Sequence, residues 1–476
     1  MHNVVVDYVS SRVEPALPTD ISMKISEALR YRSDGYQHTY YFKTKKWDGF
    51  NYLFNMATQI FRTGLLWRVE HVLKNNKVDY KIIDLRKEQE KISHLQKIKL
   101  DINPFEFQHA AAQSTIQSTH GVIASPTGTG KSLIMALLTS QYYTRTLIIE
   151  NSRVLLDQIY EFFDSILPGR VGIVGSGDFE LNDVVIATYQ SLSTILGIGK
   201  KQEVSPKAPT LIDWLNNVGL VISDEVHEAD TDSMTGICAN IKTTKFVGMT
   251  ATPYMWAQAS EKGKNLPMEQ NFGIKVYDSR ETVDFVKLGL TVPLTICRPL
   301  APQAQLFSGY RPGDDSLGEY LNIVKTQVVE NEDRIKFIAD KVKSLVRDRL
   351  SCYVYYNRIA YGERLCEELC DLDPIMLQGN TPRDTRNRIF KDMENKKQLL
   401  VVSDIGSYGL NIKSLNSLVL AWPVRDARQL KGRTCRASPG KTHGLVIDPV
   451  DWAPFLAHHA KIRLSQYKND NDNVIG

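Results

Sequence analysis

The chain has 476 residues, 42% of them apolar and 24% charged, with a formal net charge of +4. This is close to an ordinary soluble globular protein, with apolar material for several full cores and two to four domains. No stretch approaches the roughly 18 uninterrupted apolar residues of a membrane span, which excludes a helical membrane protein.

The charge is unevenly spread. Residues 1–103 hold 17 Lys/Arg against 12 Asp/Glu, an excess of 5, so the rest of the chain sums to −1. A positive front segment suits contact with phosphates; a mildly biased solvated surface is the plain alternative. The start, Met1-His2-Asn3-Val4, lacks the basic residues and long apolar run of a signal peptide, so the expected location is cytoplasmic. Six cysteines are scattered, and only Cys366 and Cys370 lie close together. Their spacing puts both on one helix face without the second pair of a zinc site, so the cysteines read as small buried hydrophobes.

Residues 1–103 are expected to form a small basic α+β domain. A strand-like run covers 4–9 and a helix covers 21–30. An aromatic, basic segment follows, Tyr40-Tyr41-Phe42-Lys43-Thr44-Lys45-Lys46-Trp47-Asp48-Gly49, ending in a hairpin-turn signal. A charged helix over 86–100 closes the domain. From residue 121, continuous apolar runs at 121–124, 146–150, 184–188, 220–223 and 246–250 read as buried strands of a parallel sheet, with room for crossover helices between them. Residues 200–209, with Pro206 and Pro209, read as a surface loop. The chain passes to a second domain over 287–293, and 310–318 reads as another loop. A second strand set lies at 352–356, 374–377, 399–403, 418–421 and 444–447. Two such sets predict two tandem doubly wound α/β domains, over 104–288 and 289–476, with a frayed tail from 469.

Ser125-Pro126-Thr127-Gly128-Thr129-Gly130-Lys131-Ser132 lies between a predicted strand and a predicted helix, the context of a phosphate-binding loop. Its glycines let backbone N–H groups turn around phosphates at a helix N-terminus. Lys131 can reach the β- and γ-phosphates and Ser132 can ligate Mg²⁺. Asp224-Glu225-Val226-His227 ends the strand over 220–223. Asp224 there suits Mg²⁺, and Glu225 can orient and deprotonate an attacking water. The cofactors implied are ATP and Mg²⁺.

The Asp-Glu-Val-His tetrad resembles motif II of superfamily 2 helicases and translocases, and other segments match in that superfamily's order. Thr250-Ala251-Thr252 resembles motif III, which implies that Thr250 and Thr252 couple ATP state to nucleic-acid grip. Gln108, ahead of the loop, matches the glutamine that reads adenine. Asn151-Ser152-Arg153 and Thr188-Tyr189-Gln190-Ser191 resemble motifs Ia and Ib, implying backbone contacts from Arg153, Thr188 and Gln190. Gln429-Leu430-Lys431-Gly432-Arg433-Thr434-Cys435-Arg436 fits motif VI; a helix would place Arg433 and Arg436 on one face. The resemblance makes Arg436 an arginine finger, with Arg433 also near the phosphates and Gln429 in the coupling machinery. The segment 403–412 resembles motif V, implying Gly409 and Asn411 near the ribose, although many relatives carry Asp where Asn411 stands. Gln378-Gly379, followed by Arg383, Arg386 and Arg388, suits a backbone-binding loop and helix.

Ser33-Asp34-Gly35-Tyr36 and Lys46-Trp47-Asp48-Gly49 resemble the front domain of phage UvsW-type recombination helicases, and the domain order matches. That family implies unwinding of branched DNA, Holliday-junction migration and fork regression with 3′→5′ polarity. It also implies a monomer on DNA in the host cytoplasm, off the membrane, with recombination or single-strand-binding proteins as further partners. Trp47 could stack on a base while Lys45 and Lys46 hold phosphate, or it could anchor the small domain's core. The competing functions are a restriction-type translocase, an RNA helicase, and an ATP-gated clamp that does not translocate. The front segment shows no nuclease motif, and intact Lys131, Glu225 and Arg436 argue against a pure clamp.

Overall fold

The computed structural model describes residues 1–476 except 34, 176, 200–202, 228–230, 252–262, 264, 305–316, 396–399, 404–411 and 413. Two compact units form: Met1–Pro126 with Gly130–Val283, and Asp284–Gly476 with Thr127–Thr129.

The first unit opens with a five-stranded sheet in the order Phe54–Asn55, Ile60–Arg62, Ser10–Glu14, His2–Val6, Tyr80–Asp84. Its pairs are antiparallel except the last, His2–Val6 with Tyr80–Asp84. The helices Thr19–Ala28 and Leu66–Asn75 cover this sheet, burying Ile21, Ile25, Val69 and Leu73 against Val4, Val6 and Val13. That is the expected α+β front segment.

Two of its predicted details differ. Asp48-Gly49 does form a turn, with Gly49 at φ 85° and the Asp48 carboxylate accepting from Phe50 N–H at 3.0 Å. What precedes it is a short helix, Tyr40–Lys43, rather than a strand, so no hairpin results. The segment 86–100 is not a helix. It runs along the neighbouring sheet, where Gln89 donates to the Lys242 carbonyl at 2.7 Å and Leu95 enters the core of Ile134, Met135 and Leu138. Ile92, Leu95 and Ile98 imitate a helical period, but only Leu95–Lys97 forms a 3₁₀ turn.

Among the described residues the first unit's main sheet has eight strands. Their order is Asp178–Phe179, Val171–Gly175, Val184–Thr188, Thr146–Glu150, Leu220–Ser223, Phe246–Thr250, His120–Ala124, Lys275–Asp278. All pairs are parallel except the edge pair made by Asp178–Phe179. Separate apolar cores cover its two faces, which is why its central strands are continuously apolar. The second unit carries a seven-stranded parallel sheet among the described residues. Its order is Ile375–Leu377, Leu400–Ser403, Cys352–Tyr355, Ser417–Leu420, Gly444–Ile447, Leu294–Cys297, Asn473–Ile475.

The two tandem doubly wound α/β domains are therefore present, each strand set falling within a residue or so of its predicted place. The tail is not frayed. Asn473–Ile475 pairs with Leu294–Cys297, and Arg298 N–H donates to the Ile475 carbonyl at 2.8 Å. Cys370 also departs from expectation: it is exposed and lies beyond the end of the helix Ile359–Glu368.

Candidate functional site

In the first unit the chemistry collects where parallel strands end. His120–Ala124 runs into the loop 125–130, and the helix Lys131–Tyr142 begins at once. Gly128 and Gly130 take φ of 87° and 80°, a left-handed backbone that glycine adopts without penalty. Ser125, in place of the usual leading glycine, is buried; its N–H donates to the Thr250 carbonyl at 2.9 Å and its hydroxyl meets that of Ser279 at 3.2 Å. Gln108 is buried beside the loop. Its carbonyl accepts from Phe105 N–H at 2.9 Å, and its amide approaches the Gly130 carbonyl at 3.5 Å.

Lys131 reaches both acidic residues of the next motif. Its ammonium lies 2.9 Å from Asp224 Oδ1 and closer still to Glu225 Oε1. Burial alone would lower this ammonium, but the Asp224 and Glu225 charges override it and raise it. The two carboxyls diverge. Burial raises Asp224 despite Lys131, whereas Lys131, His227 and the Ala251 N–H overcome burial and lower Glu225. Glu225 is thus held ionised, as a base near neutral pH must be. It sits at φ 44°, a strained backbone for a residue with a side chain, of the kind that clusters at functional sites.

Hydrogen bonds tie the neighbouring motifs to Glu225. Ala251 N–H donates to Glu225 Oε2 at 3.3 Å, and Thr250 Oγ1 meets His227 Nδ1 at 2.6 Å, with that ring 3.6 Å from Glu225 Oε2. Asn151 Nδ2 donates to the Glu225 carbonyl at 3.0 Å, and Gln190 Nε2 donates to the Asn151 carbonyl at 3.1 Å. Ser152 and Thr188 cap the helices Arg153–Ile166 and Tyr189–Leu196, leaving Arg153 and Gln190 exposed. Lys131, Asp224, Glu225, Thr250 and Gln190 are thereby joined in one network. Thr252, Gly409 and Asn411 lie outside the described residues.

Sequence reasoning passed over Glu150. It ends the strand Thr146–Glu150 and is fully buried; burial first, and the Asp224 charge next, push it well above the ordinary carboxylate range. An acidic residue closing an otherwise apolar strand was the signal available.

In the second unit, Gln429 and Arg433 lie on the helix Arg428–Thr434. Arg436 is not on that helix. Beyond it the chain is held otherwise: Val292 N–H donates to the Cys435 carbonyl at 2.7 Å, and Arg436 bridges Thr291 in antiparallel pairing. Burial and the neighbouring Arg433 push the Arg436 guanidinium down to about 9, still cationic at neutral pH. Lys431 anchors the helix through Asp470 at 2.7 Å and through Asp472. Gln378 donates its N–H to Thr381 Oγ1 at 3.0 Å, and Gly379 beside it is exposed.

The family profile "Helicase conserved C-terminal domain" matches residues 335–438, and "Type III restriction enzyme, res subunit" matches 82–255. The chain carries the helicase domains of superfamily 2. This helicase is 23% identical over 500 residues to the "ATP-dependent DNA helicase uvsW" of Enterobacteria phage T4, covering 95% of this chain and 94% of that one. Among solved structures, the "DUF1998 helicase MrfA bound to DNA and AMPPNP" aligns with TM-score 0.53 and 14% identity over 82% of this chain and 55% of that one. The S. cerevisiae Dbp5 structure "bound to RNA and ADP BeF3" aligns with TM-score 0.52 and 13% identity over 78% and 90%. At such identities the structural likeness speaks for the motor fold alone.

The basic front segment of the helicase lies apart from this network. Lys45 and Lys46 are exposed, whereas Trp47 is half-buried and its ring N–H donates to the Phe50 carbonyl at 2.7 Å. Beside them Tyr40 and Tyr41 are 67% and 62% exposed and pack edge to face. Arg30 and Arg32 cover the Phe50 ring at 4.3 and 4.2 Å. No described helix is long and apolar enough to cross a membrane.

Proposed function

We propose that the protein is an ATP-driven DNA helicase or translocase that remodels branched DNA in recombination, repair or replication, by Holliday-junction branch migration and fork regression. The observation carrying the hydrolytic part is Lys131 lodged against Asp224 and the ionised Glu225. Near-full-length similarity to a protein named as an ATP-dependent DNA helicase supports DNA as the track, and the basic front segment supports its phosphate contacts.

In this reading Lys131 turns from the carboxylates to the β- and γ-phosphates, and backbone N–H groups of 127–131 surround them. Mg²⁺, held by Ser132 and Asp224 with the phosphates, would supply charge neutralisation. Glu225 accepts a proton from the attacking water as its oxygen bonds the γ-phosphorus and the bond to ADP breaks. Arg433 and Arg436 neutralise the transferring phosphoryl group, and Gln108 contacts the base. Thr250 senses the change through His227 and Glu225, and Asn151 and Gln190 carry it toward the backbone-contacting loops. The protein acts as a monomer in the cytoplasm, the host's if phage-encoded.

The test measures ATP hydrolysis with no nucleic acid, with RNA, and with DNA as a linear duplex, a fork and a four-way junction, then follows strand products. Stimulation by DNA, with junctions and forks processed faster than tailed duplex, is expected. Equal processing of all three DNA forms would remove the branched substrate, and no stimulation by any nucleic acid would remove the motor.

A further inference from the structure

Glu150 combines three observations that the motifs do not explain. It is 0% exposed, and neither of its carboxylate oxygens has a hydrogen-bond partner among the described residues. Strand register places it next to Asp224. Ile149 pairs with Ser223, and Asp224 N–H donates to the Ile149 carbonyl at 3.0 Å, so the following residues, Glu150 and Asp224, lie side by side on adjacent parallel strands. Alternation then aims them. Ile148 and Ile222, two residues earlier on each strand, share one core with Ile134, Met135 and Leu138 of the helix Lys131–Tyr142. Glu150 and Asp224 therefore project on that same face, toward the helix end that bears Lys131.

A buried carboxyl with no donor loses its hydration without compensation, so its natural partner is one that arrives with the ligand. Lys131 already serves Asp224 and Glu225, and in the hydrolytic cycle it must leave them for phosphate. Among the described residues no other protein donor bonds Glu150, which leaves water or a cation. Among the described residues no group of three or more His, Cys, Asp or Glu is placed to hold a metal directly. Mg²⁺ does not need one: it keeps several of its waters and takes one or two carboxylates plus substrate phosphates.

We propose that Glu150 is a third acidic residue of the nucleotide site, accepting hydrogen bonds from water bound to the Mg²⁺ that accompanies ATP. The inference rests on the ATP reading above. It makes Glu150 an outer ligand that holds the metal's hydration shell in place beside Asp224, and it accounts for a carboxylate at the end of a strand otherwise built of apolar residues.

The experiment uses the full chain, a non-hydrolysable ATP analogue, and Mn²⁺ as a spectroscopic substitute for Mg²⁺. Free Mn²⁺ is counted by electron paramagnetic resonance. Wild-type protein that binds no Mn²⁺ with the analogue would sink the ATP reading itself, and the inference with it. Given wild-type binding, Glu150→Gln is expected to weaken Mn²⁺ in the ternary complex by about tenfold or more, the usual effect of removing an outer-shell partner. Its affinity for the analogue without metal should stay at the wild-type level. Glu150→Val should weaken Mn²⁺ equally. Wild-type Mn²⁺ affinity in Glu150→Gln overturns the inference while leaving the ATP reading intact, as does an equal loss of metal-free nucleotide binding. If Glu150→Val does not fold, the isosteric Glu150→Gln decides alone.

Discussion

Arg68 Nε donates to Glu269 Oε2 at 2.7 Å, joining the front segment to the helix Leu266–Phe272 of the first parallel-sheet domain. Gly64 packs on the same helix so closely that a Cβ there would come within 2.5 Å of the Gln270 carbonyl, and Leu266 enters the front segment's own core. The Glu269 side chain is almost fully buried, while Arg68 keeps some contact with water. The two truncations are therefore unequal. Arg68→Ala strands a buried carboxylate and should cost on the order of 2–3 kcal/mol in urea unfolding. Glu269→Gln should cost less, because Arg68 can turn to solvent. Equal, small losses would mean the pair does not hold the front segment.

Lys131→Ala should abolish ATP hydrolysis, while DNA binding stays within about threefold of wild type, a change below 1 kcal/mol. The reason is that Lys131 contacts Asp224 and Glu225, not the exposed Arg153, Gln190, Lys45 and Lys46. Filter binding and a phosphate-release assay check both halves. Unwinding by the Lys131→Ala protein would contradict the assignment of the loop.

His120 opens the strand that leads into the phosphate loop. It is buried and stacks on Phe246 with ring centroids 5.0 Å apart. Burial, with Arg86 and Lys245 nearby, depresses its pKa to about 3 from an ordinary 6.5. A depressed value contributes stability above the unfolded value, and that stability is lost as pH falls toward the folded one. Between pH 7 and pH 5 the loss from this residue is about 2 kcal/mol, at about 1.4 kcal/mol per pH unit. His120→Phe keeps a ring against Phe246 and should flatten the dependence by that amount. Urea midpoints at the two pH values measure it; identical slopes in both proteins would refute the assignment.

The strands and the strand-end motifs were legible because a parallel sheet covered on both faces needs continuous apolar runs, and the phosphate loop must sit between one such strand and a helix. Contacts distant in sequence were not legible. Ile92, Leu95 and Ile98 imitate a helix, yet the core they enter belongs to another domain's helix, Lys131–Tyr142. Arg436 continues the spacing of motif VI, but its backbone is captured by Thr291. The tail is too short and polar to announce a strand, and becomes one because Leu294–Cys297 offers an open edge. Glu150 looked like the last residue of a strand, and only register reveals its neighbour Asp224.

That same tail holds motif VI. Lys431 is buried and pairs with Asp470 and Asp472, one residue of which also precedes the edge strand Asn473–Ile475. Removing both carboxylates leaves a buried ammonium without its anions, a cost of about 3–5 kcal/mol if nothing relaxes. The Asp470→Asn/Asp472→Asn double variant should therefore lose DNA-stimulated ATPase by roughly tenfold, an effect of about 1.4 kcal/mol on the transition state, with DNA binding retained. Steady-state kinetics with and without DNA check this. An unchanged rate would show that the position of the helix Arg428–Thr434 does not depend on the tail.

The front segment offers three aromatic candidates for stacking on a base, Trp47 and the pair Tyr40 and Tyr41, and their environments separate them. Trp47 is half-buried and committed to the Phe50 carbonyl, with its neighbour Phe50 already covered by Arg30 and Arg32. Tyr40 and Tyr41, packed edge to face on each other, are otherwise largely exposed next to exposed Lys43, Lys45 and Lys46. Base stacking on an aromatic ring contributes about 1–3 kcal/mol per base. Tyr40→Ala/Tyr41→Ala should therefore weaken single-stranded DNA binding by at least about fivefold, with the unfolding midpoint unchanged because both rings are already in water. Trp47→Ala should do the reverse, lowering the midpoint by loss of its packing and hydrogen bond. Fluorescence anisotropy with a labelled oligonucleotide, alongside thermal unfolding, distinguishes the two. A binding loss confined to Trp47→Ala, in a protein that unfolds at the wild-type temperature, would return the stacking role to the tryptophan.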